Sequence, residues 1–398
     1  MAIRTVRDLD LSGKKVLVRV DFNVPISNGT VSDDTRIRAA LPTIKYILEQ
    51  PETTVILMSH LGRPKGSPDP NYSLAPVAET LEKLLHTPVH MAPDCVGPEV
   101  EKLVSEAESG SVILLENTRF HAEETKNDES FSKALAKLGD AYVNDAFGSA
   151  HRAHASTEGV ARLLPAGAGF LIEKEVQFFA PLLDNPAQPF VAIIGGAKVS
   201  TKIDVLKTLM PKCSTLIIGG GMSYTFLKAQ GHSIGKSLVE EDYLDTAKNL
   251  IQQAKELNVE LLLPVDHMVA EEFSETAAAR EVSSADVPDG MIAMDIGANT
   301  IAAMKSAIAG AKSLVWNGPM GVFEFDAFAA GTLETAKMVA ECKGVTVVGG
   351  GDSVAAVNKF SLAGKIDHVS TGGGASLEFL EGKSLPGIAI LERNQENP

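Results

Sequence analysis

Four times in its second half this chain repeats one phrase: an apolar run of strand character stops at glycines, and a small or polar residue follows. The phrases are FVAIIGGAKVSTK (190–202), TLIIGGGMS (215–223), VTVVGGGDS (345–353) and HVSTGGGAS (368–376). Glycine lets backbone approach a ligand closely, and a helix start offers free N–H groups in a positive potential. Each phrase thus reads as strand, tight turn and helix, with room for an anion at the turn. Any one of them is explained by a plain βα turn. Four together, one carrying Lys198 and Lys202, point to a phosphate or nucleotide site. Lysines four apart share a face if a helix starts near Val199. The spacing is not that of a Walker A loop, which requires G-x4-G-K-[ST].

Between the phrases the second half alternates strand-like runs (190–196, 215–220, 259–265, 313–317, 345–349, 367–371) with helical patterns. Such alternation specifies a parallel sheet flanked by helices. The polar, alanine-rich stretch 270–289 reads as surface hairpin or loop. Asp352 follows the third phrase closely. A carboxylate beside phosphate-cradling amides suggests a bridging Mg²⁺ held through nucleotide phosphates, although a plain N-cap explains it equally well. TGGGAS and IGGGMS stay open between site and turn, with IGGGMS leaning to turn. VWNGPMGVFE (315–324) holds the only Trp and presents Glu324, suited to a ribose hydroxyl or simply to solvent.

The first half has a different grammar. Strand-like KVLVRVDFNV (from Lys14 to Val24), TVILMSH (54–60), SVILLEN (111–117) and AYVND (141–145) each lead toward a segment that carries arginine. Ser32-Asp33-Asp34 can cap a helix with Ile37, Leu41, Ile44 and Leu48 on one face, and Pro42 could kink or break it. Leu74–Leu85 and Phe131–Leu138 read as further helices. The cationic set is Arg36, His60, Arg63, Arg119, Arg152 and His154, with Asp21 and Asn23 as polar partners. Guanidinium forks suit carboxylate and phosphate, and strand ends are where a parallel sheet gathers a site. His151 and His154 lack a third partner for a metal. Neither G-x-S-x-G nor H-E-x-x-H occurs. An apolar helix over 169–183, ending at Asp184-Asn185-Pro186, marks the junction between the two grammars.

At 398 residues the chain exceeds one core of roughly 250–300 residues, so two domains are expected. Its net charge of −15 argues against a general nucleic-acid partner and requires local cationic pockets for any anionic substrate. Three widely spaced cysteines form no metal pattern or disulfide framework and suit a reducing compartment. The N-terminus has no apolar signal core, and no run of 18 apolar residues occurs. A cytoplasmic protein without a membrane partner is expected.

RVDFNVP (19–25), SHLGRPKG (59–66), ENTRF (116–120), DAFGSAHRAHAS (145–156), GGAKVSTK (195–202), WNGPMGVFE (316–324), GGGDS (349–353) and STGGGASLE (370–378) are similar, in order, to the signature segments of the phosphoglycerate kinases. The resemblance runs essentially end to end. One departure is DIGANT (295–300) where the family commonly has DIGPKT, which touches a minor nucleotide-side contact.

The resemblance implies two Rossmann-like, three-layer α/β domains with parallel sheets. A phosphoglycerate-binding domain would span 1–168, an interdomain helix and hinge 169–187, and a nucleotide-binding domain 188–380. Residues 381–398 would pack back on the first domain. It implies reversible phosphoryl transfer between 1,3-bisphosphoglycerate and ADP, giving 3-phosphoglycerate and ATP, by direct in-line transfer after hinge closure in a monomer. Asp21, Asn23, Arg36, Ser59, His60, Leu61, Gly62, Arg63, Arg119 and Arg152 would bind the phosphoglycerate. Gly196, Lys198, Lys202, Glu324, Gly350, Gly351, Asp352 and Ser353 would bind the nucleotide, with Asp352 at the Mg²⁺. Arg36 and Lys198 would stabilise the transferred group. An amino-acid kinase of another type would not need the six cationic residues of the first half. A non-catalytic nucleotide binder would not need Lys198 together with Arg36.

Overall fold

The computed structural model describes residues 2–392. Of the expected C-terminal segment 381–398, residues 393–398 lie outside the described residues. The chain divides into two compact units, one running to Gln177 and taking in the chain from Ser384, the other spanning Phe178–Lys383.

The first unit is built on six parallel strands: β1 (Lys15–Arg19), β2 (Thr54–Met58), β3 (Val89–Met91), β4 (Val112–Leu114), β5 (Ala141–Asn144) and β6 (Ala166–Ala168), in the order β3-β4-β2-β1-β5-β6. Val16 of β1 lies opposite Val55 on one side and Ala141 on the other. TVILM is buried throughout, and KVLVR everywhere but its first residue, as strands covered on both faces require. Helix α1 (Thr35–Leu48) lays Ile37, Ile44 and Ile47 into a core with Val16, Val18 and Leu57. Each such side chain contributes roughly 1.5–3 kcal/mol on burial. The helix continues through Pro42, which is exposed and lacks the N–H that would bond the Arg38 carbonyl. The start is held by Asp33, whose carboxylate accepts from the Thr35 N–H at 2.9 Å. The returning chain joins this unit where Gly387 N–H donates to the Ala150 carbonyl and Arg4 N–H to that of Leu391.

The second unit has its own six parallel strands: β7 (Phe190–Ile194), β8 (Thr215–Ile218), β9 (Glu260–Leu262), β10 (Ser313–Asn317), β11 (Val345–Gly349) and β12 (His368–Val369), in the order β9-β8-β7-β10-β11-β12. The chain builds outward from β7 to β9 and then returns to the other side of β7 with β10. The crevice between β7 and β10 is therefore the topological switch point, where open α/β sheets bind ligands. Beyond the sheet, His267–Ala270 pairs antiparallel with Arg280–Val282 and Ile292–Ile296. The stretch expected as hairpin or loop thus contributes a strand to a small second sheet.

Helix α2 (Phe170–Asp184) carries the chain from one unit to the other. Most strands stop short of the apolar runs that announce them. Phe190–Ile194 ends before Gly195, and Lys15–Arg19 ends before Asp21, because those last residues turn away to form loops.

Candidate functional site

In the first unit every candidate residue stands in the loop or turn that follows the carboxyl end of a strand, or at the start of α1. Asp21 and Asn23 follow β1, and Arg36 lies in the first turn of α1. From Nη1, Arg36 donates to both carboxylate oxygens of Asp21, at 3.1 and 3.2 Å, and to the Asn23 carbonyl at 3.1 Å. The Asn23 side chain accepts from Gly62 N–H at 2.8 Å, and the Gly62 carbonyl accepts from Arg119 at 2.9 Å. Asp21, Arg36, Asn23, Gly62 and Arg119 are thus one hydrogen-bonded chain. Ser59 accepts from Phe22 N–H, and the Leu61 carbonyl accepts from Asn117, which fixes the loop after β2. Arg63, Arg119, Arg152 and His154 line a cleft of about 560 Å³ together with Lys65 and Lys126.

Beneath this cleft lies a buried network. The Arg19 guanidinium is fully buried and donates to Ser156 at 2.8 Å. A second Arg19 nitrogen stands 3.0 Å from His60 Nδ1. Ser156 in turn donates to the buried Glu124 carboxylate at 2.6 Å. Burial, and then the charges of Arg19, Arg119 and Arg36, hold His60 well below the ordinary imidazole value. His154 is pulled down to about 4, by burial and then by Arg119 and Arg19. Both imidazoles are therefore neutral at neutral pH. Arg19 occupies Nδ1 of His60, so its Nε2 is the nitrogen that carries the proton. The cleft is cationic through its arginines and offers a neutral donor in His60.

In the second unit the glycine phrases converge on the β7/β10 crevice. Gly195, Gly196, Lys198, Lys202, Asn317, Gly318, Gly350, Gly351, Asp352 and Ser353 line a cleft of about 350 Å³, with Gly373 and Gly374 of the fourth phrase. A side chain at Gly195 would meet the Pro319 carbonyl at 2.2 Å, so glycine alone lets the β7 and β10 turns touch. Ser353 accepts from Gly318 N–H at 2.5 Å and ties the β11 turn to the same place. Lys202 is bonded to Asn317. Burial draws its ammonium below the ordinary lysine value, and Asp352 and Glu381 oppose that. The two lysines do not share a helical face: Val199–Thr201 is a 3₁₀ turn and the α-helix begins at Ile203, because Lys202 breaks the run with φ −124°. Both nevertheless reach the cleft, Lys198 exposed and Lys202 partly buried.

A second, more apolar cleft of about 380 Å³ adjoins the first, sharing Gly196, Ala197 and Asp352 with it. Its walls include Tyr224, Leu238, Met294, Pro319 and Val322, and Glu324 stands at its edge. Gly220 and Gly221 of IGGGMS also line it, so that phrase borders this cleft as well as turning the chain. A cleft lined by glycines and two lysines, beside an apolar slot, suits a nucleotide. Asn299, within the departing DIGANT segment, is exposed at the start of the helix Ala298–Ile308.

Sequence reasoning passed over Arg19, Glu124, Lys65 and Lys126 in the first unit, and Tyr224, Leu238 and Met294 in the second. Arg19 carried a signal, since an arginine inside an otherwise apolar strand must be satisfied in the interior. The apolar wall carried none, because its residues read like any other core.

The sequence matches the family profile described as phosphoglycerate kinase over residues 6–383. It is 58% identical over 393 residues to the phosphoglycerate kinase of Borrelia hermsii, covering 99% of this chain and 100% of that one. To that of Moorella thermoacetica it is 60% identical over 391 residues, with 98% and 99% covered. Among solved structures, phosphoglycerate kinase from Coxiella burnetii superposes with a TM-score of 0.90 at 46% identity, covering 98% of each chain. That from Pyrococcus horikoshii OT3 gives 0.82 at 32%, again over 98% of each. With identity and coverage of this order, the chain belongs to the phosphoglycerate kinase family: it is an ATP-using kinase that moves a phosphoryl group reversibly to and from the carboxyl group of 3-phosphoglycerate.

Proposed function

We propose that the first unit's cationic cleft holds 3-phosphoglycerate or 1,3-bisphosphoglycerate, and that the glycine cleft with its apolar neighbour holds ADP or ATP with Mg²⁺. Arg63, Arg119, Arg152 and His60 Nε2–H serve the phosphoglycerate phosphate and carboxyl groups. Asp21, Asn23, Ser59, Leu61 and Gly62 complete the phosphoglycerate site; Asp21 and Asn23 also hold Arg36, and Gly62 holds Arg119. Gly196, Gly350, Gly351 and Ser353 offer backbone to the nucleotide phosphates, Lys202 gives charge there, and Glu324 accepts from the ribose.

Asp352 is the one carboxylate lining the glycine cleft among the described residues. One carboxylate plus substrate phosphates is the way Mg²⁺ is usually held, so the residues present fit the ion. When bound, Mg²⁺ neutralises phosphate charge. Everything else falls to the side chains. The acceptor carboxylate has a reference pKa of about 4 and is ionised at neutral pH, so no general base is needed. Catalysis is then positioning and charge stabilisation, and Arg36 and Lys198 are the cations assigned to the transferred group. In-line transfer between ligands held by different units requires them to close on one another, which also excludes water from the acyl phosphate.

The observation that carries this reading is Arg36, half-buried at the start of α1 and held by Asp21 and Asn23 through a single nitrogen. A monomer in the cytoplasm, without nucleic-acid or membrane partners, completes the proposal. The net charge of −15 argues against a general nucleic-acid partner, and no described helix is long and apolar enough to cross a membrane.

Calorimetric binding tests the division of labour. Arg119→Ala should weaken 3-phosphoglycerate about tenfold or more, the scale of losing a charged hydrogen bond, and leave Mg-ADP unchanged. Lys202→Ala should do the reverse. Equal effects of either variant on both ligands would sink the assignment.

A further inference from the structure

We propose that Asp94, Cys95 and His121 form a binding site for a divalent transition-metal ion of the Zn²⁺ type, at the edge of the first unit's cationic cleft. One ligand atom from each lies within 4.8 Å of the other two, and no other such group of three occurs among the described residues. The three come from two neighbouring strand ends. Asp94 and Cys95 follow β3, and His121 closes the Thr118–Phe120 turn that follows β4. His121 Nε2 stands 2.6 Å from a carboxylate oxygen of Asp94. The imidazole is stacked on Phe131, with ring centres 4.9 Å apart, so its plane is set before any ion arrives. The Cys95 thiol is buried and donates to the Glu116 carbonyl at 2.8 Å. On the open side the Asp94 side chain is 47% exposed and that of His121 26%, which leaves a way in.

Bonds of about 2.0–2.3 Å in tetrahedral geometry separate ligand atoms by roughly 3.3–3.8 Å. The histidine–aspartate pair must therefore open by under about 1 Å, and the sulfur, no more than 4.8 Å from either, must close by at most about 1.3 Å. Sulfur, nitrogen and oxygen together select Zn²⁺ or a similar ion over Mg²⁺ or Ca²⁺. Binding breaks the Cys95 S–H bond and forms a metal–sulfur bond. That proton leaves to solvent, and no electron is transferred. Water completes the four ligands. His121 lines the same cleft as Arg63, Arg119 and Arg152, so an ion there would pin the turn that carries Arg119.

The test is titration of the full chain with Co²⁺, followed by its thiolate-to-metal absorption, and with Zn²⁺ by calorimetry. One equivalent and a thiolate band are expected. Cys95→Ser should remove the band, while Cys342→Ser should leave it intact. Asp94→Asn and His121→Asn, at partly exposed positions, should each weaken Zn²⁺ at least roughly tenfold, a loss seen even for outer-shell partners. No thiolate band in the unaltered chain, its loss in Cys342→Ser, or unchanged Zn²⁺ affinity in both partly exposed variants would overturn the proposal.

Discussion

Lys198 and Lys202 stand four residues apart in one glycine phrase, yet their surroundings differ. Lys202 is partly buried, bonded to Asn317 and drawn below the ordinary lysine value by burial. Lys198 is exposed at the cleft mouth. A lysine held among the glycines suits ground-state binding of phosphate, and a free one suits charge that develops only during transfer. Lys198→Ala is therefore expected to lower kcat more than it raises the nucleotide KM in steady-state kinetics. The opposite pattern would leave Lys198 a binding residue only. The glycines around these lysines made the pair visible in the sequence. Tyr224, Leu238 and Met294 were not visible, because an apolar wall facing a slot has the same composition as one facing a core. Glu124 was hidden for a related reason: it reads as a surface carboxylate, and only the fold shows it buried against Ser156.

Among the elements, α2 depends on a buried carboxylate at its start. Asp145, just after β5, accepts from Leu171 N–H at 2.8 Å, and a side chain at Gly169 would meet that carboxylate at 2.3 Å. Burial raises Asp145 to about 7, with Thr43 and the amides of Leu171 and Ile172 opposing. In the unfolded chain it ionises near about 3.9. Between those pH values the folded protein binds the extra proton, so this group's contribution to stability falls as pH rises and levels off above about 7. Asp145→Asn keeps an oxygen for Leu171 and cannot ionise. Its melting temperature relative to the unaltered chain should be more favourable at about pH 8 than at about pH 5. An equal difference at both would refute the cause given. The central strands were legible because parallel sheets bury both faces and leave continuous apolar runs. The strands Val89–Met91 and Ala166–Ala168 were not, being three residues long and built from a partly exposed VHM and from AGA. The 3₁₀ turn at Val199–Thr201 escaped as well, since a spacing of four fits a helix and a turn alike.

For the whole molecule, a net charge of −15 coexists with two clefts lined by cations, so anion binding is a local arrangement within an acidic protein. Each unit gathers its cleft at the carboxyl ends of its own parallel strands, which is why one grammar of strand and loop recurs with arginine in one half and glycine in the other. The proposed transfer between ligands held by different units predicts compaction when both are bound. Small-angle scattering should give a smaller radius of gyration with 3-phosphoglycerate and a non-hydrolysable Mg-ATP analogue together than with neither. An unchanged radius would argue against closure. The central claim is that a positioned cation, without any general base, carries the chemistry, and the most direct measurement is turnover of Arg36→Ala in ATP formation from 1,3-bisphosphoglycerate and ADP. A fall in kcat of more than ~10² is expected, the scale of losing one donor to the charge of a transition state. Turnover near that of the unaltered chain would contradict it.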